Sequence, residues 1–299
     1  MALSPNDRYL VHALLPRNQI SILAGASGVG KSTLILQLLG MIQRGEPLPG
    51  GHDYQPGMRV AFIKADRNTD ELVDAALDCK CDITQMHVEG LVGQGFGQRI
   101  RLNSKGLLME LLARCLPCDV VVIDPLVALF GDDPRMYNKM FGHLVELADW
   151  CAENSVTIWG THHTVKARTD FGFKRPQDQI SGSSALLGFS STQMILCPPE
   201  GQIVTYQFHI VPHRLPPETL NFTRDDHGLF VPWTGDLDNL DTKKVLEMFP
   251  ESDKTITKAY VATAFPDMPP QDLDAHLKVL IEQGWLTKAA HGRLRRSGN

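Results

Sequence analysis

Apolar and polar positions follow two rhythms up to about residue 235, and the chain changes character beyond it. Residues 20–24 form a short, mainly apolar run that stops before Gly25. Residues 33–42 are apolar over a helix length and end at Gly45 and Pro47. The expectation is a strand, a glycine loop and a buried helix. Residues 59–64 (RVAFIK) read as a strand, 69–77 as a helix, and 107–115 as a helix closed before Pro117. Residues 119–124 (DVVVID) are a continuous β-branched run, the pattern of a central strand covered on both faces. Within 137–152, Phe141, Leu144, Val145, Ala148 and Cys151 recur at helical spacing, and 156–160 form the next strand. Such alternation predicts an α/β fold with a largely parallel sheet covered by helices. Two more runs, 203–210 and 220–223, suit an antiparallel addition at the sheet edge.

Residues 236–241 (DLDNLD) are polar and acidic, and mark a linker between a domain over 1–235 and a smaller one over 242–299. In the smaller part, 242–249, 255–265 and 271–283 read as three short helices. The last is opened by Pro269 and Pro270, with Asp272 in its first turn. After Gly284, residues 285–288 and 293–296 flank a glycine-containing turn. Three helices followed by a two-stranded wing is the order of a winged helix-turn-helix, which usually binds DNA and can instead dock a protein.

Composition narrows the class. With 299 residues and 43% hydrophobic content the chain can bury a sizeable core, and its ordinary Gly and Pro usage excludes collagen and low-complexity disorder. No stretch approaches the roughly 18 uninterrupted apolar residues of a membrane span. Asp7 and Arg8 interrupt the first residues before an apolar signal region develops, which points to a cytoplasmic protein. Its six cysteines then belong to a reducing compartment. Cys79 and Cys81 form a C-x-C and Cys115 and Cys118 a C-x-x-C, which could supply four thiolates to zinc. Small buried core residues are the better reading, because Cys115 and Cys118 lead directly into the apolar run at 119–124.

The formal net charge of −5 leans away from nucleic acid, but it is an average. Residues 242–299 hold nine Lys and Arg against seven Asp and Glu, and residues 1–241 hold 20 against 27. Residues 164–180 (TVKARTDFGFKRPQDQI) carry Lys166, Arg168, Lys174 and Arg175 against Asp170 and Asp178, with Phe171 and Phe173 between them. Basic residues interleaved with aromatics suit a single-stranded backbone and stacked bases, although a solvated surface loop would read the same way.

The chemistry-bearing signal with the least ambiguity is residues 25–32, Gly25-Ala26-Ser27-Gly28-Val29-Gly30-Lys31-Ser32, followed by Thr33. It satisfies G-x-x-x-x-G-K-[ST] with a strand before it and a helix after it, as that motif requires. The glycines let backbone N–H groups turn around phosphates, and Lys31 neutralises β and γ oxygens of ATP. Ser32 offers its hydroxyl oxygen to Mg2+. Asp124 ends VVVID, where a buried strand delivers a second magnesium-binding oxygen beside the loop. Hydrolysis also needs a group that orients or deprotonates water. Pro125 follows Asp124, so no acid stands immediately after it, and Asp66, at the end of VAFIKAD, becomes the candidate base.

The order GASGVGKS, VAFIKAD, VVVIDP, IWGTHH resembles the RecA-like P-loop ATPases. Within them it is similar to the RepA-type hexameric helicases and DnaB-like motor domains, over roughly residues 8–235. The resemblance implies a RecA-like core in which Asp66 stands where the family usually has a catalytic Glu. It implies that His163 occupies the γ-phosphate sensor position, and that the loop at 164–180 faces a central channel holding single-stranded DNA. Arg214, in HIVPHRLPPE, is a candidate arginine finger completing a neighbouring subunit's site, with His213 and Arg224 as competitors. The expected function is an ATP-dependent DNA motor, a RepA-like helicase acting as a homo-oligomeric ring. Its C-terminal domain would meet DNA through Arg293, Arg295 and Arg296, with Lys278 and Lys288 beside them, or recruit a replication or loading protein. The alternative is a DNA-binding regulatory or recombination-mediator ATPase that does not unwind. A small-molecule kinase fits less well, since no acceptor-binding lid is evident.

Overall fold

A computed structural model describes residues 6–65, 69–90, 105–130, 137–164, 176–180, 184–199, 205–233, 240–249, 255–266, 268–282, 285–289 and 293–296. The strands are β1 (Tyr9–Val11), β2 (Leu15–Pro16), β3 (Ile20–Gly25), β4 (Val60–Lys64), β5 (Met86–Gly90), β6 (Val120–Asp124), β7 (Thr157–His163), β8 (Ser190–Cys197), β9 (Tyr206–Pro212), β10 (Glu218–Arg224) and β11 (Phe230–Pro232). Between them run α1 (Lys31–Arg44), α2 (Thr69–Asp78), α3 (Lys105–Arg114), α4 (Tyr137–Asn154) and α5 (Ser184–Phe189). The chain then continues through α6 (Leu240–Glu247), β12 (Ile256–Thr257), α7 (Lys258–Ala264), α8 (Pro270–Glu282), β13 (Leu286–Lys288) and β14 (Arg293–Arg296).

The chain divides into two compact units, one of residues 1–198 with 207–231 and one of 199–206 with 232–299. In the first, nine strands form one sheet in the order β11-β10-β9-β8-β3-β7-β6-β4-β5. The six strands from β8 to β5 run parallel, as the alternation of strands and helices requires, and β9 pairs with β8 antiparallel. This is the mixed α/β architecture of a P-loop NTPase core.

The sheet is covered on both faces because successive side chains point to opposite sides. Ile22, Ile63, Val121, Ile123 and Ile158 face a cluster built with Leu108, Leu112, Leu144 and Leu147 from α3 and α4. The intervening Leu23, Phe62, Val122 and Trp159 are as fully buried, as are Leu34 and Ile35 on α1. A sheet covered on both faces explains why β3, β4 and β6 read as mainly apolar runs rather than alternating ones.

Five strands of the first unit have no counterpart in the expectation: the short antiparallel pair β1 and β2, and β5, β8 and β11. Strand β8 (SSTQMILC) escapes recognition because its first half is polar, yet Ser190 and Thr192 are fully buried and Thr192 Oγ1 donates to the Ala13 carbonyl at 3.0 Å. Strand β5 (MHVEG) is a short, half-exposed edge strand, and the three-residue β11 is too short to show a period. In the second unit, the segment expected to be a helix from 255 begins as strand β12. Helix α7 starts after Thr257, whose hydroxyl accepts from Tyr260 N at 3.3 Å and caps it. That unit has its own core around Val245, Phe249, Val261, Leu277, Leu280 and Leu294, and a three-stranded sheet ordered β12-β14-β13.

The cysteines fall where small core residues belong. Cys79, Cys81, Cys115, Cys118 and Cys151 are buried, and Cys197 is half-buried. Burial pushes the thiols of Cys79, Cys115 and Cys151 up to about 12 and those of Cys81 and Cys118 to about 11, so they stay protonated at neutral pH. Among the described residues no group of three or more His, Cys, Asp or Glu is placed to hold a metal, and no helix is long and apolar enough to cross a membrane. Iodoacetamide should therefore label Cys197 first in the native chain and the other five only after denaturation. Rapid native labelling of Cys115 and Cys118, read by mass spectrometry, would contradict this packing.

Candidate functional site

Parallel strands deliver their C-terminal ends to one edge of the sheet, and the site is assembled there. The register makes the meeting specific. Gly25 of β3 is level with His163 of β7, Gly160 of β7 with Ile123 of β6, and Asp124 of β6 with Lys64 of β4. Four segments distant in sequence thus place a phosphate-type loop, a hydroxyl, a carboxylate and an ammonium side by side.

The loop leaves β3 at Gly25 and enters the 14-residue helix α1 at Lys31. Gly28 and Gly30 have φ of +76° and +99°, a left-handed backbone that side chains resist. At Gly30 the space is closed as well. A Cβ there would collide with Arg224 Nη2 and lie 2.9 Å from Phe230 Cζ. Arg224, at the end of β10, lies 4.6 Å from the centre of the Phe230 ring and donates to the Val29 carbonyl at 2.7 Å. Phe230 is tied in turn to α1, since Gln37 Oε1 accepts from its N–H at 2.8 Å and Gln37 Nε2 donates to its carbonyl at 3.1 Å. Lys31 is buried and its Nζ donates to the carbonyls of Gly25 at 2.9 Å and Ala26 at 3.0 Å.

Asp124 is the hub. Only 4% of it is exposed, and its two carboxylate oxygens accept from three elements. Oδ2 takes Ser32 Oγ at 2.6 Å and Lys64 Nζ at 2.7 Å, and Oδ1 takes Thr161 Oγ1 at 2.5 Å. Burial pushes the Asp124 carboxyl up. The Lys64 charge and the hydrogen bonds from Lys64, Ser32 and Thr161 outweigh burial and hold it below the ordinary carboxylate range. It is an anion at neutral pH.

These groups line a cavity of about 260 Å3 together with His163, Glu71 and Thr33. Its donor set suits magnesium triphosphate: the Ser32 hydroxyl and Asp124 carboxylate are hard oxygens 2.6 Å apart, at the positive end of α1 and beside Lys31. Strand β7 alternates its two histidines, so His163 is exposed on the cavity wall and His162 is buried at 1% exposure. Beyond His163, Thr164 N donates to the Gly25 carbonyl at 3.3 Å and Thr164 pairs with Ile180, which pins both ends of the basic segment next to the cavity.

The sequence matches the AAA domain family over residues 1–169, more than half of the chain. The chain belongs to the AAA domain family. Among curated proteins none matches it. The AAA domain is that of an ATP-hydrolysing P-loop enzyme, and its matched span contains Lys31, Ser32, Lys64, Asp124, Thr161 and His163.

Asp66, Lys166, Arg168, Lys174 and Arg175 lie outside the described residues. Glu71, in the first turn of α2, is the second carboxylate besides Asp124 among the described cavity residues. Arg214 is exposed in the β9–β10 connection, where His213 N donates to the Ser191 carbonyl at the start of β8, so it sits at the opposite end of the strands from Gly25. It shares a cleft of about 570 Å3 with Arg8, Arg17 and His213, and does not line its own chain's cavity. Arg224, a competitor for the finger role, is engaged with the loop of its own chain. Arg293 and Arg295 are exposed on β14, flanking the buried Leu294, with Arg296 half-buried at the strand end.

Sequence reasoning missed Lys64, Thr161 and the part of Arg224 as a brace. A charged residue ending the apolar run VAFIK was the available signal for Lys64, whereas the other two depend on strand pairing. Gly30→Ala should lower stability by about 1–3 kcal/mol, the usual cost of a side chain held in a left-handed backbone. Urea denaturation checks this, and an unchanged midpoint would mean that Arg224 and Phe230 do not close over Gly30.

Proposed function

We propose that this AAA-domain chain is an ATP-dependent DNA motor, a RepA-type replicative helicase that hydrolyses ATP at subunit interfaces and moves on single-stranded DNA. One observation carries the reading: β7 runs from the candidate ATP cavity, through His163, into a net-basic segment whose two ends are held beside that cavity at Thr164 and Ile180. A change at the γ-phosphate then has a short covalent route to residues whose basic and aromatic composition suits nucleic acid.

In this reading residues 25–33 cradle the phosphates, and Lys31 exchanges the Gly25 and Ala26 carbonyls for β and γ oxygens. Ser32 and Asp124 hold magnesium, which supplies positive charge to the phosphate oxygens. Asp66 orients or deprotonates the attacking water. His163 senses the γ-phosphate, and Lys166, Arg168, Lys174 and Arg175 bind the DNA backbone. Arg214 serves a neighbouring subunit, which its distance from its own cavity favours and which makes a ring of like subunits the working form.

The C-terminal unit supports a winged-helix reading by its order α6, β12, α7, α8, β13, β14, in which β13 and β14 form the wing. Arg293 and Arg295 on the exposed face of β14 suit phosphates or the acidic face of a replication partner.

Lys31→Ala should abolish ATP hydrolysis with the fold retained, measured as phosphate release in parallel with circular dichroism. Full turnover would defeat the assignment of the loop. On a forked duplex the native chain should displace a strand only with ATP. DNA-stimulated hydrolysis without displacement would make it a regulatory or mediator ATPase instead. Replacing Lys174 and Arg175 together by Ala should weaken single-strand binding and reduce the slope of log affinity against log salt by about one to two phosphates' worth. An unchanged slope would remove that segment from the DNA path.

A further inference from the structure

Lys64 is the last residue of β4, a strand buried at all five of its positions. A lysine so placed must reach an anion, because an isolated ammonium is costly to take out of water. Lys64 reaches the anion that the proposed function assigns to magnesium. Its Nζ lies 2.7 Å from Asp124 Oδ2, the oxygen that also accepts from Ser32 Oγ at 2.6 Å, and its side chain is 8% exposed. The carboxylate edge that the proposed function assigns to magnesium is therefore already occupied by a cation that the protein itself carries. Thr161 on Oδ1 fixes the carboxylate plane, so Oδ2 stays turned toward Lys64 and Ser32.

We propose that Lys64 is a tethered counter-cation of the nucleotide site, which neutralises Asp124 before metal arrives and competes with magnesium for its Oδ2 edge. The inference rests on the phosphate-loop reading and adds to it a residue that sets how strongly metal and nucleotide depend on each other. The flexible four-carbon stem and compact charge of lysine allow it to leave Asp124 without unfolding the strand, which a rigid arginine fork would not. With Lys64 in place, a nucleotide meets two ammonium groups, Lys31 and Lys64, and an Asp124 whose charge is already offset. Metal-free nucleotide is therefore tolerated, and magnesium adds less to the affinity than it would beside a bare Asp124.

The experiment measures binding of a fluorescent ATP analogue to the full chain, once in excess EDTA and once across a magnesium titration, for the native protein and for Lys64→Met. The neutral variant should bind the analogue about tenfold more weakly in EDTA and need about tenfold less magnesium to recover, within the usual range of coupling between two sites. Magnesium alone, without nucleotide, should raise the melting temperature of Lys64→Met and leave that of the native chain unchanged. Lys64→Arg should keep the native response in EDTA, since the charge is retained. If both chains bind the analogue with the same magnesium response, Lys64 is a structural ion pair only and the proposal is overturned. If neither chain binds the analogue, the phosphate-loop reading fails, and the inference with it. Should Lys64→Met not fold, the native chain decides alone. A gain of more than about tenfold in affinity on adding magnesium overturns the proposal, and a smaller gain supports it.

Discussion

A buried carboxylate is tolerable only where its lone pairs are filled, and the fold of this chain is arranged around meeting that condition for Asp124. The three groups that satisfy it come from β4, β7 and the first turn of α1, so the hydrogen bonds form only when three separate pairings are in register. A slip of one residue in β4 would turn Lys64 to the other face and leave Asp124 short of its cation. The ionic cluster and the hydrophobic sheet therefore specify each other. Ile63, Val121 and Ile123 fix the register by burial on one face, and that register brings the polar termini together.

What could be read from the sequence follows from how local each feature is. Loop residues 25–32 were legible because glycine conformations, a helix start and a lysine at fixed spacing are properties of eight consecutive residues. Strand β6 was legible because burial on both faces leaves an unbroken β-branched run, and Asp124 stands out as the charge that ends it. Lys64 ends β4 in the same way, yet its role is invisible without the β4–β6 register that sets it level with Asp124. Thr161 is a small polar residue in GTHH with no signal of its own. Strand β8 was missed for a related reason: its buried Ser190, Thr192 and Gln193 are accommodated by backbone carbonyls brought from residues 187 and 13, and no one-dimensional pattern records such partners.

The separation of charges along the strands is the second organising fact. Lys31, Lys64 and His163 gather at the C-terminal edge with Asp124 and Glu71, whereas Arg8, Arg17, His213 and Arg214 gather at the N-terminal edge around the β9–β10 connection. A single subunit cannot bring Arg214 to its own Lys31, because a rigid six-residue strand lies between the two edges. An arrangement in which that arginine meets a triphosphate requires a second copy presenting its opposite edge. The overall acidity of the chain does not bear on this, since the arginine cluster is local to the N-terminal edge.

The antiparallel addition at the sheet edge returns to the site that the parallel core builds. Strands β9 and β10 lead outward from β8, but β10 ends in Arg224, which reaches back to the Val29 carbonyl inside the phosphate-type loop. Phe230 follows after a tight turn at Gly228, stacks under that guanidinium and is clamped to α1 through both polar atoms of Gln37. The loop is thus held from below by β3 and α1 and from the side by residues some 195 positions later in the chain. Gly30 is the hinge of that closure, since any side chain there would push Arg224 and Phe230 away. A glycine required by the backbone of the motif is here required a second time by packing from the far edge strands. In this chain the edge strands are therefore part of the machinery that shapes the phosphate loop rather than a passive cover for the sheet.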